Sequence, residues 1–205
     1  NIKLNRINDG KTDPNGNLWF GPLDNLERKI EKGSLYKLDK NLFLTKVDTD
    51  YRITNGPAFI DQYNFYHTDS SKKNIYKIKV NKDNKVINKK IFKKLSPIDG
   101  SPDGMTLDKY KNLWVAHFNG ACVSVFNRNA KLIHKINLPA QNITNCAFGG
   151  QNNNELFITS ATKGMNKAGL QRFRYSGFLF SVKTNSKGIL QKKFILSNEK
   201  KRSLL

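Results

Sequence analysis

The feature that most constrains the fold of this chain is a repeat with a period of 43 to 48 residues. Similar segments begin at Leu18, Phe65, Leu113 and Leu156, so the steps between them are 47, 48 and 43 residues. Each segment follows a turn rich in Asn, Asp or Gly, and further β-rich runs separate it from the next repeat. Several strands in a unit of roughly 40–50 residues are typical of a β-propeller blade. The sequence therefore predicts an all-β propeller, with about four blades present in this chain.

Short β-rich runs alternate with polar turns along the chain, and helical periodicity is nearly absent. We predict strands at 17–21, 34–38, 64–69, 74–80, 112–118, 122–126, 155–160 and 178–182. Two Asp-containing segments, 48–50 and 81–84, lack the spacing of a calcium-binding loop and are predicted to be hairpin turns. A chain of 205 residues is long enough for one good-sized core, so we expect one domain that spans residues 1–205.

The net charge of +20 raises the question of a nucleic-acid partner. Lys supplies most of this charge, Arg occurs at only seven positions, and the Lys residues are spread along the chain. Nucleic-acid interfaces favour Arg and concentrate their charge in a patch or a motif. The pattern therefore favours a solvated, Lys-rich surface, and we expect no nucleic-acid partner. A polyanion-binding surface is the alternative, which a steep salt dependence of the affinity would support.

The sequence predicts no membrane partner, because no apolar run approaches the roughly 20 residues that cross a bilayer. Cys122 and Cys146 are too far apart for a metal knuckle, and a pair of buried reduced thiols is the simpler interpretation. Because reduced thiols fit a reducing compartment, we expect a cytoplasmic location.

One polar residue recurs in phase with the repeat, at Asn8, Asn55, Asp103 and Asn145, with steps of 47, 48 and 42 residues. Each stands just before the strand that we expect to be innermost in its blade. Equivalent positions of propeller blades lie at one radius and height, so these side chains are expected to converge at one mouth of the central channel. A ring of Asn and Asp oxygens suits a hard divalent cation. A set of ordinary Asn-Gly and Asp-Gly turns is the alternative interpretation.

Other catalytic residue types give weaker signals. His67, His117 and His134 fall at unrelated phases of the repeat, so we predict that they are structural or surface residues. The chain has no nucleophile elbow, and no motif supplies a Ser-His-Asp triad.

Four ordered motifs give the chain a family resemblance: residues 6–21 (RINDGKTDPNGNLWFG), 53–70, 101–123 and 145–165. Together they resemble the six-bladed propellers of the senescence-marker, regucalcin and gluconolactonase family, which includes proteins like luciferin-regenerating enzyme. The resemblance covers the chain nearly to residue 190. It implies a six-bladed fold and the hydrolysis of a sugar lactone, or of another ester or organophosphate, with a divalent ion such as calcium or zinc.

The resemblance also implies roles for individual residues. Asn55 of the TNG motif and Asp103 of the PDGM motif would bind one divalent metal ion, calcium or zinc. Arg6 and Asn8 of the RxNDG motif would face the substrate. The ion would polarise the lactone carbonyl and activate a water molecule that attacks it, and Asp103 would also take a proton from that water. Arg6 would stabilise the negative charge that develops on the carbonyl oxygen.

The chain departs from the family pattern in two places. An acidic substrate contact of the family aligns with Leu26, which lies between Asp24 and Glu27. The first motif begins at residue 6, whereas the family has roughly two blades before it, so a metal-binding Glu of the first blade has no counterpart. We therefore interpret the chain as the C-terminal two-thirds of a lactonase-like propeller, truncated rather than closed as a four-bladed ring. Loss of that ligand makes a non-enzymatic calcium-binding or scaffold propeller the alternative function.

Overall fold

The computed structural model describes residues 5–24 and 33–198, which form fifteen β-strands in four antiparallel sheets. The first sheet contains β1 (Asn5–Thr12), β2 (Leu18–Asp24), β3 (Gly33–Leu38) and β4 (Leu44–Tyr51). The second contains β5 (Thr54–Phe59), β6 (Asn64–Asp69), β7 (Asn74–Val80) and β8 (Val86–Lys94). The third contains β9 (Ser101–Leu107), β10 (Leu113–Phe118), β11 (Cys122–Phe126) and β12 (Leu132–Asn137). The fourth contains β13 (Asn142–Gly149), β14 (Glu155–Ala161) and β15 (Leu179–Lys183).

Each sheet is a meander in which consecutive strands are neighbours, and each corresponds to one sequence repeat. This is the organisation of propeller blades, so the prediction of an all-β fold with four blades is confirmed. The predicted strands at 64–69, 74–80 and 122–126 match β6, β7 and β11 residue for residue. That the complete fold has six blades stays a prediction.

The first strand of each sheet is the main difference from the sequence analysis. We expected Asn8, Asn55, Asp103 and Asn145 to precede the strands, but the structure places them inside β1, β5, β9 and β13. The segment 48–50 was also wrongly predicted as a turn, because it belongs to β4, in which Asp48 pairs with Leu35 of β3. The segment 81–84 does form the turn between β7 and β8.

Five hairpin turns share one construction. In each of them an Asp or Asn Oδ1 accepts the backbone N–H groups of the second and the fourth following residue. The turns begin at Asp13, Asp39, Asn81, Asp108 and Asn127. The third residue after the Asp or Asn has positive φ in every one of these turns. These residues are Gly16, Leu42, Asn84, Lys111 and Ala130. The Asx side chain satisfies backbone donors that the strands leave at the turn, which explains the Asn- and Asp-rich spacers of the sequence.

Two of these turns also anchor a tryptophan. The Oδ2 atom of Asp13 accepts a hydrogen bond from the Trp19 indole N–H at 2.8 Å, and Asp13 is 2% exposed. In the third sheet, Oδ2 of Asp108 accepts from the Trp114 indole N–H at 3.1 Å and from the Ser186 hydroxyl at 2.9 Å. A buried carboxylate needs several donors, and the indole N–H supplies one of them in each of these two turns.

The strands pack in two compact units, one containing the described residues up to Ile91 and from Gln191 on, and the other Phe92–Leu190. In the first unit, the Trp19 ring contacts Phe59 and Phe65 at centroid distances of 5.5 and 5.2 Å. Further buried members of this core are Leu35, Tyr51, Ile78 and Val80. The buried core of the second unit consists of Trp114, Ala116, Val123, Val125, Ala140, Ile143, Cys146, Leu156 and Ile158. That one domain spans residues 1–205 stays a prediction.

Two short helical segments lie between the strands of the described residues. Pro97–Asp99 forms one 3₁₀ turn, and α1 (Lys167–Arg172) begins after Asn166, whose Oδ1 accepts the N–H of Gly169 at 2.8 Å. No helix in 5–24 or 33–198 has the length and apolar character to cross a membrane.

Replacing Asp13 by Ala should lower the free energy of unfolding by about 2–4 kcal/mol, because buried N–H donors of the turn and of Trp19 lose their acceptor. Urea denaturation followed by tryptophan fluorescence measures this change. Asp39→Ala is the matched control, since Asp39 accepts the same two backbone N–H groups in an exposed turn that holds no indole. Equal losses for the two variants would show that the indole contact contributes nothing.

Candidate metal and substrate site

Asn8 joins the first strands of two neighbouring sheets in the first unit. Its Nδ2 donates to the Asn55 Oδ1 at 3.0 Å and to the Thr54 backbone carbonyl at 2.8 Å. Its Oδ1 accepts from the Arg6 Nη1 at 3.2 Å. Three of the side chains that the sequence singled out, those of Arg6, Asn8 and Asn55, therefore form one hydrogen-bonded chain.

The Asn55 side chain is held at both ends of its amide. Its Nδ2 donates to the Ser70 hydroxyl oxygen at 2.7 Å, while its Oδ1 accepts from Asn8. Asn55 is 4% exposed, so this orientation is set by protein neighbours rather than by bulk water. An amide oxygen has two acceptor positions, and the bond from Asn8 uses one of them.

Asp9 contacts the same segment through the backbone. Its Oδ2 accepts the N–H of Gly56 at 2.8 Å, and its Oδ1 accepts the N–H of Gly10 at 2.8 Å. Burial raises the pKa of the Asp9 carboxyl, and the hydrogen bonds from Gly56 and Gly10 and the charge of Lys11 oppose this shift. The repeat pattern assigned no site role to Asp9, although Asp9 directly follows Asn8 in the RxNDG motif.

A register irregularity lies at or next to the polar position of all four first strands. Asn8 is an extra residue between the pairs Ile7–Pro22 and Asp9–Gly21. Asp103 also lies inside an irregularity, whereas Asn55 and Asn145 are paired with their second strands directly beside one. Bulges bend a strand and re-aim its side chains, and they are frequent next to active sites. The Gly residues that follow Asn55 and Asp103 are the sequence signal that could have predicted bulged strands there.

Asp103 and Asn145 belong to the second unit. Asp103 is half-buried in β9, and its bulge places Asp103 and Gly104 opposite Ala116 alone. A Cβ atom on Gly104 would lie 2.2 Å from Cγ of Asn145, so only glycine lets β9 and β13 approach this closely. The Asn145 side chain therefore lies directly against the residue that follows Asp103.

The structure thus brings together two separate groups of the predicted residues: Arg6, Asn8 and Asn55 in one unit, and Asp103 beside Asn145 in the other. Leu26 and Glu27 lie outside the described residues, whereas Asp24 ends β2 and is 3% exposed. In 5–24 and 33–198, no three His, Cys, Asp or Glu side chains cluster closely enough to hold a metal ion.

The donor chemistry of Asn55 and Asp103 fits a hard divalent cation. Amide and carboxylate oxygens are ligands of calcium, and zinc also accepts carboxylate oxygens. The Asn55 Oδ1 keeps one acceptor position, and its direction is fixed by the bonds from Asn8 and to Ser70. Ligand oxygens that are themselves hydrogen-bonded are typical of metal sites in proteins.

Two of the three histidines are buried, which agrees with the prediction that the histidines are structural or surface residues. His67 is 0% exposed, its ring contacts the Tyr51 ring at 4.8 Å, and neither ring nitrogen has a hydrogen-bond partner among the described residues. Burial lowers the pKa of His67 to about 3, against the attraction of Asp48. Burial also lowers the pKa of His117, against a hydrogen bond to the Asp99 carbonyl. His134 is exposed, in agreement with a surface role.

Comparisons with known proteins show which family and fold this chain resembles. A family model for the SMP-30/Gluconolactonase/LRE-like region matches residues 1–162. Regucalcin of Pongo abelii is 33% identical over 189 residues, which are 88% of this chain and 62% of the regucalcin. A luciferin-regenerating enzyme superposes with a TM-score of 0.86 and 31% identity, over 95% of this chain and 67% of the enzyme.

A further solved relative is a gluconolactonase of Xanthomonas campestris, with a TM-score of 0.64 and 26% identity over 75% of this chain and 53% of that protein. The chain spans 61% to 65% of the length of the curated relatives it matches. The similarity therefore covers most of this chain but only part of each relative.

The burial of neutral His67 should make the protein less stable in acid. The unfolded chain binds a proton at His67 below about pH 6.5, while the folded chain does so only near pH 3. Stability should therefore fall between these two pH values, by at most about 1.4 kcal/mol per pH unit for this group. Chemical denaturation at several pH values between 4 and 7.5 measures the slope.

The matched pair for this experiment is His67→Phe and His134→Phe. The first should flatten the pH dependence, because Phe does not titrate and keeps the ring contact with Tyr51, whereas the second should leave it unchanged. If the slope of stability against pH is the same in both variants and in the parent protein, the pH dependence does not come from His67.

Proposed function

The chain belongs to the SMP-30/gluconolactonase/LRE-like family, as its motifs predicted, and from this premise we propose that it hydrolyses sugar lactones with one bound divalent metal ion, calcium or zinc. The observation that carries the proposal is the hydrogen-bonded chain of Arg6, Asn8 and Asn55. These residues occupy motif positions to which the family resemblance gives substrate and metal roles. We also propose that about two further blades precede this segment in the complete fold.

Asn55 and Asp103 are the proposed metal ligands. Asn55 offers an amide oxygen with a fixed direction, and Asp103 offers the carboxylate of a half-buried, bulged strand position. When bound, a divalent ion supplies a Lewis acid that polarises a carbonyl oxygen and lowers the pKa of a water ligand.

Arg6 and Asn8 are the proposed substrate contacts. A guanidinium group carries five N–H donors, and within the described residues the Arg6 Nη1 uses its donors on the Asn8 Oδ1 and the Ile7 carbonyl. Arg6 is exposed, so its guanidinium can bind sugar hydroxyl oxygens or the negative charge that develops on a lactone carbonyl. The bond from Asn8 to Asn55 couples this substrate group to a metal ligand.

Asp103 is the proposed catalytic base. Opening a lactone ring requires that an attacking water lose a proton, and a carboxylate within hydrogen-bond reach of that water can accept it. Asp103 is the acidic member of the four repeat-phased positions, since the other three are Asn. The name of one relative supports the reaction class, because the similar protein of Xanthomonas campestris is a gluconolactonase.

Asp103→Ala should lower kcat/KM for D-glucono-δ-lactone by at least about 100-fold, because the base and one metal ligand are lost together. The purified chain is assayed by pH-stat titration with added calcium, zinc or manganese. Asp39→Ala is the control, since it removes a carboxylate of the turn between β3 and β4, which is not among the proposed site residues, and should retain activity.

Turnover that is unaffected by Asp103→Ala would contradict the proposed role of this residue. A second protein, with two upstream blades of a relative fused to this chain, extends the test. Metal binding without turnover in both proteins would overturn the enzyme proposal and favour the non-enzymatic calcium-binding propeller.

A further inference from the structure

We propose that Asp9 is a positioning residue that sets the direction of the Asn55 side chain, by holding the backbone N–H of Gly56. The proposal rests on the proposed function in one respect, since Asn55 is taken as a metal ligand. The hydrogen bonds that carry it do not depend on that function.

The geometry is a clamp made by two adjacent residues of β1 on three adjacent residues of β5. Asn8 donates to the Thr54 carbonyl at 2.8 Å and to the Asn55 Oδ1 at 3.0 Å. Asp9 accepts the N–H of Gly56 at 2.8 Å. The backbone before Asn55, its side chain and the backbone after it are therefore all held from one neighbouring strand.

Asp9 forms its hydrogen bond to Gly56 at the point where the pairing of β5 with β6 is interrupted. Asn55 pairs with Thr68, and the next regular pair joins Ala58 to Tyr66, so Gly56 and the residue after it stand in the bulge. Gly56 has a φ of 86° and is buried. A bulged residue has no ladder partner for its N–H, and here the Asp9 carboxylate supplies the acceptor.

The position of Gly56 is transmitted to Asn55 because the two residues share a peptide bond. A shift of that peptide turns the Asn55 side chain away from the Asn8 Nδ2 and from the Ser70 hydroxyl, its two hydrogen-bond partners. Outer partners that orient a metal ligand commonly contribute about 10–100-fold to metal affinity. Asp9 acts on Asn55 in this way without touching the ion itself.

The experiment compares Asp9→Ala, Asp9→Asn and the control Asp39→Ala in the 205-residue chain. Proton–nitrogen NMR spectra follow the Asn55 side-chain amide, identified as the signal pair that Asn55→Asp removes, together with the exchange rate of the Gly56 N–H. We expect Asp9→Ala to shift the Asn55 amide signals and to accelerate exchange at Gly56, with neither effect in Asp39→Ala. Asp9→Asn keeps one acceptor oxygen and should fall between the parent and Asp9→Ala.

Titration with Mn²⁺ alone, by isothermal calorimetry, provides the second readout. Asp9→Ala should raise the dissociation constant by about 10–100-fold, while Asp39→Ala should leave it unchanged. If Asp9→Ala does not fold, Asp9→Asn decides by the same two measurements.

The two readouts separate this inference from the proposed function. Unchanged Asn55 amide signals in a folded Asp9 variant would overturn the positioning role, whatever the metal affinity. If the parent chain binds no Mn²⁺ and hydrolyses no lactone, the proposed function fails. In that case altered Asn55 amide signals in Asp9→Ala would still support Asp9 as the residue that positions Asn55.

Discussion

The hydrogen bond between a buried aspartate and a tryptophan indole is the interaction on which the rest of the described structure depends. Asp13 closes a hairpin turn with Oδ1 and holds Trp19 with Oδ2, so one carboxylate joins a polar turn to an apolar core. Asp108 and Trp114 repeat this arrangement in the second unit. The tryptophan then packs on aromatic rings of the following sheet, which fixes the distance between neighbouring blades. The same Asp–Trp pairs therefore close the turns and pack neighbouring sheets against each other.

The candidate site uses the spacing that this packing sets. Asn8 and Asn55 can share a hydrogen bond because their strands are held side by side, with Gly21 leaving room for the Thr54 side chain. Bulges at or next to the polar position of each first strand then interrupt the regular alternation of side chains there. A site built on paired strands rather than on a long loop keeps its groups in place before a ligand arrives.

Sequence patterns predicted the second and third strands of the sheets well and the first strands poorly. The runs 64–69, 74–80 and 122–126 are rich in β-branched and aromatic residues, and their strand limits were predicted correctly. The first strands contain Asn-Asp-Gly, Asn-Gly-Pro and Pro-Asp-Gly, which by themselves favour turns. They are strands because each pairs with the second strand of its own sheet, and that information is not local. The opposite error, a turn predicted at 48–50, has the same origin, because pairing of Asp48 with Leu35 of β3 overrides the low strand preference of Asp at that position.

The sequence by itself determined the period of the repeat, the all-β class, the family and the residues that mark its motifs, because each of these is written in side-chain type and spacing. It also identified Asn8 and Asn55 as equivalent positions, 47 residues apart. Only the tertiary structure decided that these two amides bond to each other, that Ser70 orients Asn55 and that Asp9 holds Gly56. The physical reason is that a hydrogen bond depends on distance and direction to within fractions of an ångström, and only packing between sheets sets these.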